Sequence, residues 1–426
     1  MANRANLTRR GFLKAAAATV AFPHVVTTSA LGATGRLPAS ERLVMGVIGA
    51  GGQGARHIGG GIWVQGSGFL SKPGVQIVAV SDVNRNRLNN AKNIIDKFYG
   101  NSDCATYREF EELLGRSDID VILCATGDRW HTPVSIAAAK AGKDIYCEKP
   151  ISLTVYEARA LARAMRRYGR IFQTGTQQRS WYEFRFACEL VRNGYIGDIR
   201  RIKVNVGGPP EECNLPAEGA APEWLDYDRW LGQVPWHPFH PEILGWMRWK
   251  DFSGGEMTNW GTHMFDVAQW ALGMDASGPV EIIPPDGKEF QTLTYRYANG
   301  TVMTREGISQ PTPGVRFEGT EGVVEVTREQ LITEPDSLRR QSLASGDVHL
   351  YESKEHPDNF LACVRTRTRP ASDADVGYRS ITVCHLGNIA YWLQRPLRWD
   401  PMAERFTDDP QADRLLARAM RSPWQI

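Results

Sequence analysis

One stretch near the N-terminus constrains this chain more than any other: LVMGVIGAGGQG, from Leu43 to Gly54. A short apolar run, typical of a buried parallel strand, ends in the spacing G-x-G-x-x-G at Gly49, Gly51 and Gly54. The first glycine of such a turn permits the bend, the second lets the backbone approach a pyrophosphate, and the third lets the next helix pack on the strand. The stretch therefore predicts a dinucleotide site in which a helix N-terminus holds the anion.

The next strand supports this prediction and bears on the choice of cofactor. Val75 to Val80 is apolar and is followed by Asp82, a position from which an acid contacts the ribose hydroxyls of a bound dinucleotide. A carboxylate there would repel a 2′-phosphate, so we expect NAD rather than NADP. Arg85 and Arg87 weaken this preference because they add positive charge nearby.

Two further apolar strands are predicted at Val121 to Thr126 and Ile145 to Cys147. For the helix between them, Thr132 is the predicted N-cap and Pro133 the first helical residue. Alternating strands and helices favour a parallel sheet wrapped by helices, with ligands beyond the carboxyl ends of the strands. Lys149 follows the last of these strands directly, so we expect it in the site.

After Ile171 the character of the sequence changes. Seven of the thirteen tryptophans lie between Trp224 and Trp270, and Asn299-Gly300 within an alternating segment is a strong hairpin signal. We expect a largely antiparallel sheet there, then helices over residues 356 to 395. The predicted divisions are an export signal at 1–33, a Rossmann domain at 42–168, a sheet domain at 169–350 and a helical C-terminal segment at 351–426.

The N-terminus itself has the order of a secretion signal. Arg9-Arg10 precedes Phe12-Leu13-Lys14, a mildly apolar segment follows, and small residues come next. The paired arginines resemble a twin-arginine signal, which directs folded proteins out of the cytoplasm. We therefore expect a periplasmic protein that binds its cofactor before export.

Composition excludes several kinds of partner. The 50 basic and 48 acidic residues give a net charge of +2, which argues against nucleic acid. Beyond the N-terminus no stretch is apolar and long enough to span a bilayer. Seven scattered cysteines without a C-x-x-C pair indicate neither a disulfide framework nor zinc, and His237 and His240 have no apparent third ligand. We expect no metal.

Five motifs together carry a family resemblance. In order they are the glycine turn, Asp82, Asp128-Arg129-Trp130-His131, Glu148-Lys149-Pro150 and Gly254-Gly255-x5-Gly261-x-His263-x-x-Asp266. This succession resembles the Gfo/Idh/MocA oxidoreductases over nearly all of the mature chain. The resemblance implies a nicotinamide-binding Rossmann domain followed by an α/β domain whose large, mostly antiparallel open sheet often makes an oligomer interface. We accordingly expect a homo-oligomer, either a dimer or a tetramer.

The resemblance also implies roles for particular residues. Lys149 matches the catalytic lysine, which can stabilise a developing alkoxide. His263 matches the general base, and the usual pKa of histidine, about 6.5, suits proton removal near neutrality. Many relatives have an aspartate four residues before this histidine, whereas this chain has Asn259. An amide can orient a hydroxyl but cannot take its proton.

The remaining candidate residues fall into two groups. Those expected to bind the cofactor are Gly49, Gly51, Gly52, Gln53, Gly54, Asp82, Thr126, His131, Glu148 and Lys149. Those expected to bind substrate are Trp130, Gln177, Arg179, Asn259 and Asp266, with Asp266 placed to support His263 from one helical face. One or two tryptophans between 224 and 260 would suit stacking on a sugar.

These expectations favour an exported NAD-dependent oxidoreductase acting on a secondary hydroxyl of a sugar, polyol or glycoside. Outside the cytoplasm no free NAD pool is expected, so the cofactor must stay bound and be recycled. Two alternatives remain open. One is a redox-neutral glycosidase that oxidises C3, eliminates the glycosidic substituent, adds water and reduces again. The other is a cofactor-binding protein without catalysis.

Overall fold

A parallel sheet begins the main body of the chain. The computed structural model describes residues 37–61 and 67–426, so the predicted export signal lies outside the described residues. The strands of this sheet are β1 (Leu43–Ile48), β2 (Val75–Ser81), β3 (Ala105–Tyr107), β4 (Val121–Cys124), β5 (Asp144–Cys147) and β6 (Phe172–Thr174). Their order is β3-β2-β1-β4-β5-β6, and every neighbouring pair is parallel. This is the strand order of a doubly wound dinucleotide-binding fold.

Apolar side chains bury both faces of this sheet. In β4, Val121 and Leu123 belong to one buried cluster, whereas Ile122 and Cys124 belong to another. This division follows from the alternation of side chains along a strand. The helices of this part are α1 (Gly52–Gly59), α2 (Arg85–Tyr99), α3 (Phe110–Leu114), α4 (Asp128–Lys140) and α5 (Val155–Tyr168).

Helix α4 begins earlier than the sequence indicated. Its N-cap is Gly127, so Thr132 and Pro133 lie inside the helix and the predicted start is wrong. The Thr132 hydroxyl donates to the Ile151 carbonyl at 2.7 Å instead of capping the helix. Contacts with the second half of the chain hold the additional turn, including a 2.7 Å hydrogen bond from Ser253 to Asp128. Local capping signals cannot report such tertiary contacts.

A second sheet fills the C-terminal half. Its strands are β7 (Ile199–Asn205), β8 (Glu281–Ile283), β9 (Thr294–Arg296), β10 (Val302–Arg305), β11 (Gly314–Gly319), β12 (Val323–Thr327), β13 (Leu331–Glu334), β14 (Leu397–Asp400) and β15 (Arg405–Phe406). Their order is β13-β12-β11-β7-β10-β9-β8-β14-β15, and the pairs are antiparallel except for β7 with β10. The hairpin predicted at Asn299-Gly300 joins β9 to β10 and is confirmed.

Helices connect the two sheets. They are α6 (Tyr182–Arg192), α7 (Tyr227–Leu231), α8 (Glu256–Asn259), α9 (Gly261–Leu272), α10 (His356–Thr366), α11 (Ala374–Leu393) and α12 (Pro410–Arg414). Phe360 of α10 packs in the core of the first sheet, and a single apolar cluster includes Ile145 of β5 and Phe317 of β11. Leu43–Ile426 therefore form one compact unit. The predicted combination of a Rossmann-like parallel sheet with a mostly antiparallel sheet is confirmed.

The division between predicted domains can be compared with these elements. The first sheet ends with β6, shortly after residue 168, where we placed the end of the first domain.

Within the described residues, no helix has the length and apolar character needed to cross a membrane.

Candidate active site

The glycine turn at the end of β1 has the geometry that a dinucleotide requires. Gly49 has a φ of +88°, and a Cβ there would lie 2.6 Å from the Ala125 backbone. A Cβ on Gly54 would lie 2.1 Å from the Gly49 carbonyl oxygen. At Gly52, the first residue of α1, nothing lies within 4 Å of the corresponding position. The turn is thus closely packed beneath and open above the helix N-terminus, which suits a pyrophosphate.

Asp82 lies beside this turn, and its carboxylate is held by the backbone. Its oxygens accept hydrogen bonds from Ala50 N–H and Asn84 N–H, each at 2.8 Å. Burial raises the pKa of Asp82 above its usual value, although these bonds and Arg87 oppose the shift. Each carboxylate oxygen can accept more than one hydrogen bond, so Asp82 retains acceptor capacity toward ribose hydroxyls.

Arg87 approaches the same turn from α2. Its Nη1 lies 3.1 Å from the position that a Cβ on Gly51 would occupy, so the guanidinium stands next to the turn and faces Asp82. Arg87 and Asp82 therefore act in opposite directions on a 2′-phosphate at this position.

Glu148 anchors the end of β5 to helix α1. Its Oε1 lies 2.5 Å from Nε2 of buried His57, and the amides of Gln53 and Gln177 donate to it at 3.4 Å. Burial raises the pKa of Glu148, but the hydrogen bond and charge of His57, together with Lys149 and His131, outweigh burial and lower it to about 2. Glu148 is therefore an anionic tether at neutral pH. Sequence reasoning did not single out His57, because one histidine in a helix carries no motif.

Lys149 is held from the opposite domain. Its Nζ donates to Asn259 Oδ1 at 2.6 Å, and Asn259 Nδ2 in turn donates to the exposed Glu256 carboxylate at 3.1 and 3.2 Å. Burial lowers the pKa of Lys149, while the carboxylates of Glu148 and Asp128 partly restore it. The predicted catalytic lysine and the predicted substrate residue Asn259 are thus in direct contact.

His263 lies in the same wall, on α9, and has a neighbour at each ring nitrogen. The Gln178 amide, oriented so that both of its ends are satisfied, donates to Nδ1 at 2.7 Å. Nε2 lies 3.3 Å from Arg328 Nη2. Burial, then the charges of Arg328 and Lys149, lower the pKa of His263 well below its usual value. The expectation of an ionisation near neutrality is corrected by this environment: the imidazole is neutral at pH 7 and can accept a proton.

Arg328 is a site residue that the sequence did not reveal. It follows β12 directly, and its guanidinium carbon lies 4.7 Å from the centre of the Trp260 ring and 5.6 Å from that of Trp181. Burial lowers the pKa of Arg328 to about 10, against the opposing charge of Glu148. One arginine in a turn between strands has no local signature, and only the fold of the second sheet brings it to His263.

Two predicted substrate residues lie elsewhere. Arg179 donates to both oxygens of Asp266 at 2.8 Å and also pairs with Asp275 at 2.6 Å. Neither Arg179 nor Asp266 is among the described residues that line the cavity, and Ser380 donates to Asp266 from α11. The expectation that Arg179 contacts substrate and that Asp266 supports His263 is therefore wrong. Asp266 thus links helix α9 to Arg179 in the turn after β6 and to Ser380 in helix α11.

The start of α4 forms another wall. His131 Nδ1 lies 2.7 Å from the Pro150 carbonyl and donates to it, so Nε2 carries the lone pair. Burial lowers the pKa of His131. Arg129 donates to the Trp230 carbonyl through Nε at 2.8 Å and Nη2 at 2.5 Å, and Trp130 donates to the Arg229 carbonyl at 3.1 Å. These bonds join the Rossmann part to the tryptophan-rich segment.

A single cavity of about 550 Å³ connects these features. Among the predicted residues it is lined by Gly49, Gly51, Gly52, Gln53, Asp82, Thr126, Trp130, His131, Glu148, Lys149, Gln177, Asn259 and His263. Gly54 lies behind the turn against Gly49, as its packing role requires. The lining also includes Trp230, Trp246, Trp260 and Arg328. The cavity therefore runs from the glycine turn to the Lys149–His263 end.

Comparison with known proteins agrees with this architecture. Residues 43–176 match the Gfo/Idh/MocA model described as "Oxidoreductase family, NAD-binding Rossmann fold", and residues 212–426 match its "C-terminal alpha/beta domain". D-glucoside 3-dehydrogenase of Escherichia coli is 25% identical over 213 residues, covering 50% of this chain and 51% of that protein. A glycosyl hydrolase family 109 protein of Saccharopolyspora erythraea is 36% identical over 123 residues, covering 28% and 25%.

The fold is also found among solved structures. An aldose–aldose oxidoreductase from Caulobacter crescentus superposes with a TM-score of 0.58 at 18% identity, covering 84% of this chain and 99% of that one. The aligned chain spans about half or less of the two curated relatives above. Since the two family models together match most of the chain, this protein belongs to the Gfo/Idh/MocA oxidoreductase family and carries its NAD-binding Rossmann domain.

Proposed function

We propose that this protein is an exported, NAD-dependent oxidoreductase that oxidises a secondary hydroxyl of a sugar, polyol or glycoside and retains its cofactor between turnovers. The observation that carries the proposal is the position of Lys149 and His263. They come from different domains, and both line the end of the cavity that begins at the glycine turn. The kinship with D-glucoside 3-dehydrogenase supports a carbohydrate substrate.

The chain supplies the groups that alcohol oxidation needs. Bound nicotinamide supplies the acceptor for the hydride. Neutral His263 accepts the hydroxyl proton, and the Lys149 ammonium stabilises the alkoxide that develops as the C–H bond breaks. Asn259 fixes the ammonium through the 2.6 Å hydrogen bond, so the lysine is oriented before substrate arrives. Trp246 and Trp260 offer aromatic faces on which a sugar ring can stack.

A covering segment, residues 224–232, supports retention of the cofactor. It lies against the loop after β2: Arg85 N–H donates to the Trp224 carbonyl at 2.8 Å, and Asp226 N–H donates to the Val83 carbonyl at 3.0 Å. Asp226 also pairs with Arg108 at 2.8 Å. This loop carries Asp82, and Arg229 and Trp230 of the segment line the cavity, so an ordered segment here would slow release of the dinucleotide.

The purified protein provides the test. We expect nicotinamide to remain bound after extended dialysis, and its absorbance as the reduced form to appear when a sugar substrate is added without free cofactor. Protein that carries no nicotinamide, yet turns over freely with added NAD, would contradict retention. Protein that binds NAD but gives no reduction with any carbohydrate would contradict the proposed activity.

Export rests on Arg9-Arg10, which lie outside the described residues. Replacing both arginines with lysine should leave the protein in the cytoplasm, while the unchanged sequence is recovered from the periplasm. Equal periplasmic recovery of both forms would contradict the twin-arginine route.

Assembly into a dimer or tetramer remains a prediction, to be checked by light scattering.

The redox-neutral glycosidase is the second candidate, favoured by the kinship with the glycosyl hydrolase family 109 protein. Exposed Glu256, next to Asn259, offers a carboxyl group for leaving-group chemistry. Such an enzyme would release the aryl alcohol from an aryl glycoside in deuterated water without an acceptor, and would leave deuterium at C2 of the sugar. A dehydrogenase would instead accumulate the ketone and reduced cofactor.

A further inference from the structure

The end of the cavity near His263 holds two cationic side chains, Lys149 and Arg328. The carboxylate of Glu148, which also lines the cavity, lies 2.5 Å from Nε2 of His57. Asp128 accepts from Ser253, and burial raises its pKa to about 7, so it carries only part of a charge at neutral pH. This end of the cavity therefore presents two positive charges, those of Lys149 and Arg328, together with the buried anion Glu148.

The direct partner of Lys149 does not cancel its charge. The ammonium donates to the amide oxygen of Asn259. Glu256 is one hydrogen bond further away, on the other side of that amide, and it is exposed to solvent. A carboxylate at position 259 would pair with the ammonium directly, whereas the amide fixes its position and leaves its charge available.

Arg328 presents a guanidinium whose position is fixed by packing. The group lies over the Trp260 ring, and the Gln178 amide oxygen accepts from its Nε at 2.9 Å and its Nη2 at 3.0 Å. Both of these contacts fix the orientation of the guanidinium, and neither carries a negative charge. A planar guanidinium held in this way is suited to an anionic oxygen group, which it can bind through two parallel hydrogen bonds.

We propose that the substrate is an anionic sugar derivative, bearing a carboxylate or a phosphate ester, and that Arg328 binds this group beside the hydroxyl that is oxidised. The proposal rests on the proposed oxidation and specifies its substrate class. The anion matches the charge of Arg328 and Lys149, and the adjacent hydroxyl lies where His263 can reach it.

Binding of the anion also makes His263 a stronger base. Arg328 Nη2 stands 3.3 Å from His263 Nε2, so an anion bound by Arg328 lies close to the imidazole. The same negative charge offsets two cations that lower the pKa of His263 and thereby makes the imidazole a stronger base. Recognition of the charged group and activation of the base are thus coupled.

Matched substrates test the proposal on the cofactor-loaded protein. Glucuronate and its methyl ester have nearly the same shape and differ in one negative charge, while glucose and glucose 6-phosphate form a second pair. We expect the charged member of at least one pair to have a KM at least about tenfold lower, as expected for a hydrogen-bonded charged group. Preference within the first pair assigns a carboxylate, and preference within the second assigns a phosphate ester. Equal KM values within both pairs would overturn the proposal.

Substitutions show which side chain produces the preference for the charged sugar. Arg328→Gln should abolish the difference in KM between the charged and neutral members of a pair, whereas Arg328→Lys should keep part of that difference. Asn259→Asp should reduce the difference, since it places a carboxylate against Lys149. Arg200→Gln, which removes an exposed arginine of β7, should leave the difference unchanged. A difference that survives in Arg328→Gln would refute the assignment to Arg328.

Failure of the activity is distinguishable from failure of this inference. If none of the sugars reduces the bound nicotinamide, the proposed oxidation fails, and calorimetric binding of the same pairs then decides the inference. Tighter binding of a charged member that Arg328→Gln abolishes would support an anion site. Indistinguishable binding of charged and neutral members would overturn it.

Discussion

The two ends of the cavity are built in different ways. At the nucleotide end, the chain within Gly49–Gly54 supplies the turn, the helix start and the close packing, and Asp82 follows on the next strand. At the other end, Lys149, Asn259 and Arg328 come from three distant segments, and the arrangement exists only after both sheets have formed. Local backbone geometry creates the first end, and tertiary packing creates the second.

The largest expected effect concerns the second end. Lys149→Ala and His263→Ala should each lower kcat by about 10²–10⁴-fold, the usual contribution of a positioned acid or base. Bound nicotinamide should remain, because the glycine turn and Asp82 are untouched. Steady-state kinetics and the absorbance of the dialysed protein measure the two quantities separately.

Exposed residues of the same types provide controls. Lys140→Ala at the end of α4 and His349→Ala outside the cavity should preserve turnover. Near-normal turnover of His263→Ala would show that another group takes the proton. Loss of cofactor from either catalytic variant would show that the two ends are not separable.

The glycine turn and the NAD-binding domain were predictable from the sequence, because the turn depends on backbone geometry and glycine spacing. It also placed Lys149, since the residue after a parallel strand faces the ligand edge of the sheet. Arg328 and Gln178 were missed, because the contact with His263 depends on the register of β12 and on the turn after β6. Arg179 and Asp266 were wrongly assigned to the site. Both lie close to site residues in the sequence, but their charged side chains pair with each other instead.

That misplacement leads to the next prediction, which concerns stability. Arg179→Met leaves the Asp266 carboxylate buried without its ion pair, and we expect a loss of about 3–5 kcal/mol in the free energy of unfolding. Denaturant titration measures it. The KM of the folded fraction should change little, because neither residue lines the cavity.

A solvent-exposed ion pair gives the matched comparison. Arg166 pairs with Asp375 at the surface, and Arg166→Met should cost less than about 1 kcal/mol. A large rise in KM for Arg179→Met with unchanged stability would return Arg179 to the substrate site.

A smaller effect is expected at the nucleotide end. Asp82→Ala should weaken NAD binding at least about tenfold, because hydrogen bonds to a charged partner contribute about 1.5–3 kcal/mol each. It should also narrow the difference between NAD and NADP, since Arg87 would then stand unopposed beside the turn. Calorimetry on protein stripped of cofactor measures both affinities, with exposed Asp103→Ala as the control. Tighter binding of NADP by the unaltered protein would contradict the preference for NAD.

The smallest expected effect is a shift in pH dependence that tests whether Arg328 acts on His263. Burial, Arg328 and Lys149 lower the pKa of His263, so kcat/KM should fall only as the pH drops well below the usual histidine range and the imidazole becomes protonated. Arg328→Gln removes one of the charges that oppose protonation, so the pKa of His263 should rise and the acidic limb should move to higher pH. Arg328→Lys keeps the charge and should leave the limb closer to its original position. A neutral sugar is the appropriate substrate, because an anionic one would itself raise the pKa. Identical acidic limbs for the glutamine and lysine variants would mean that the charge of Arg328 does not reach His263, and the coupling between anion binding and base strength would then be lost.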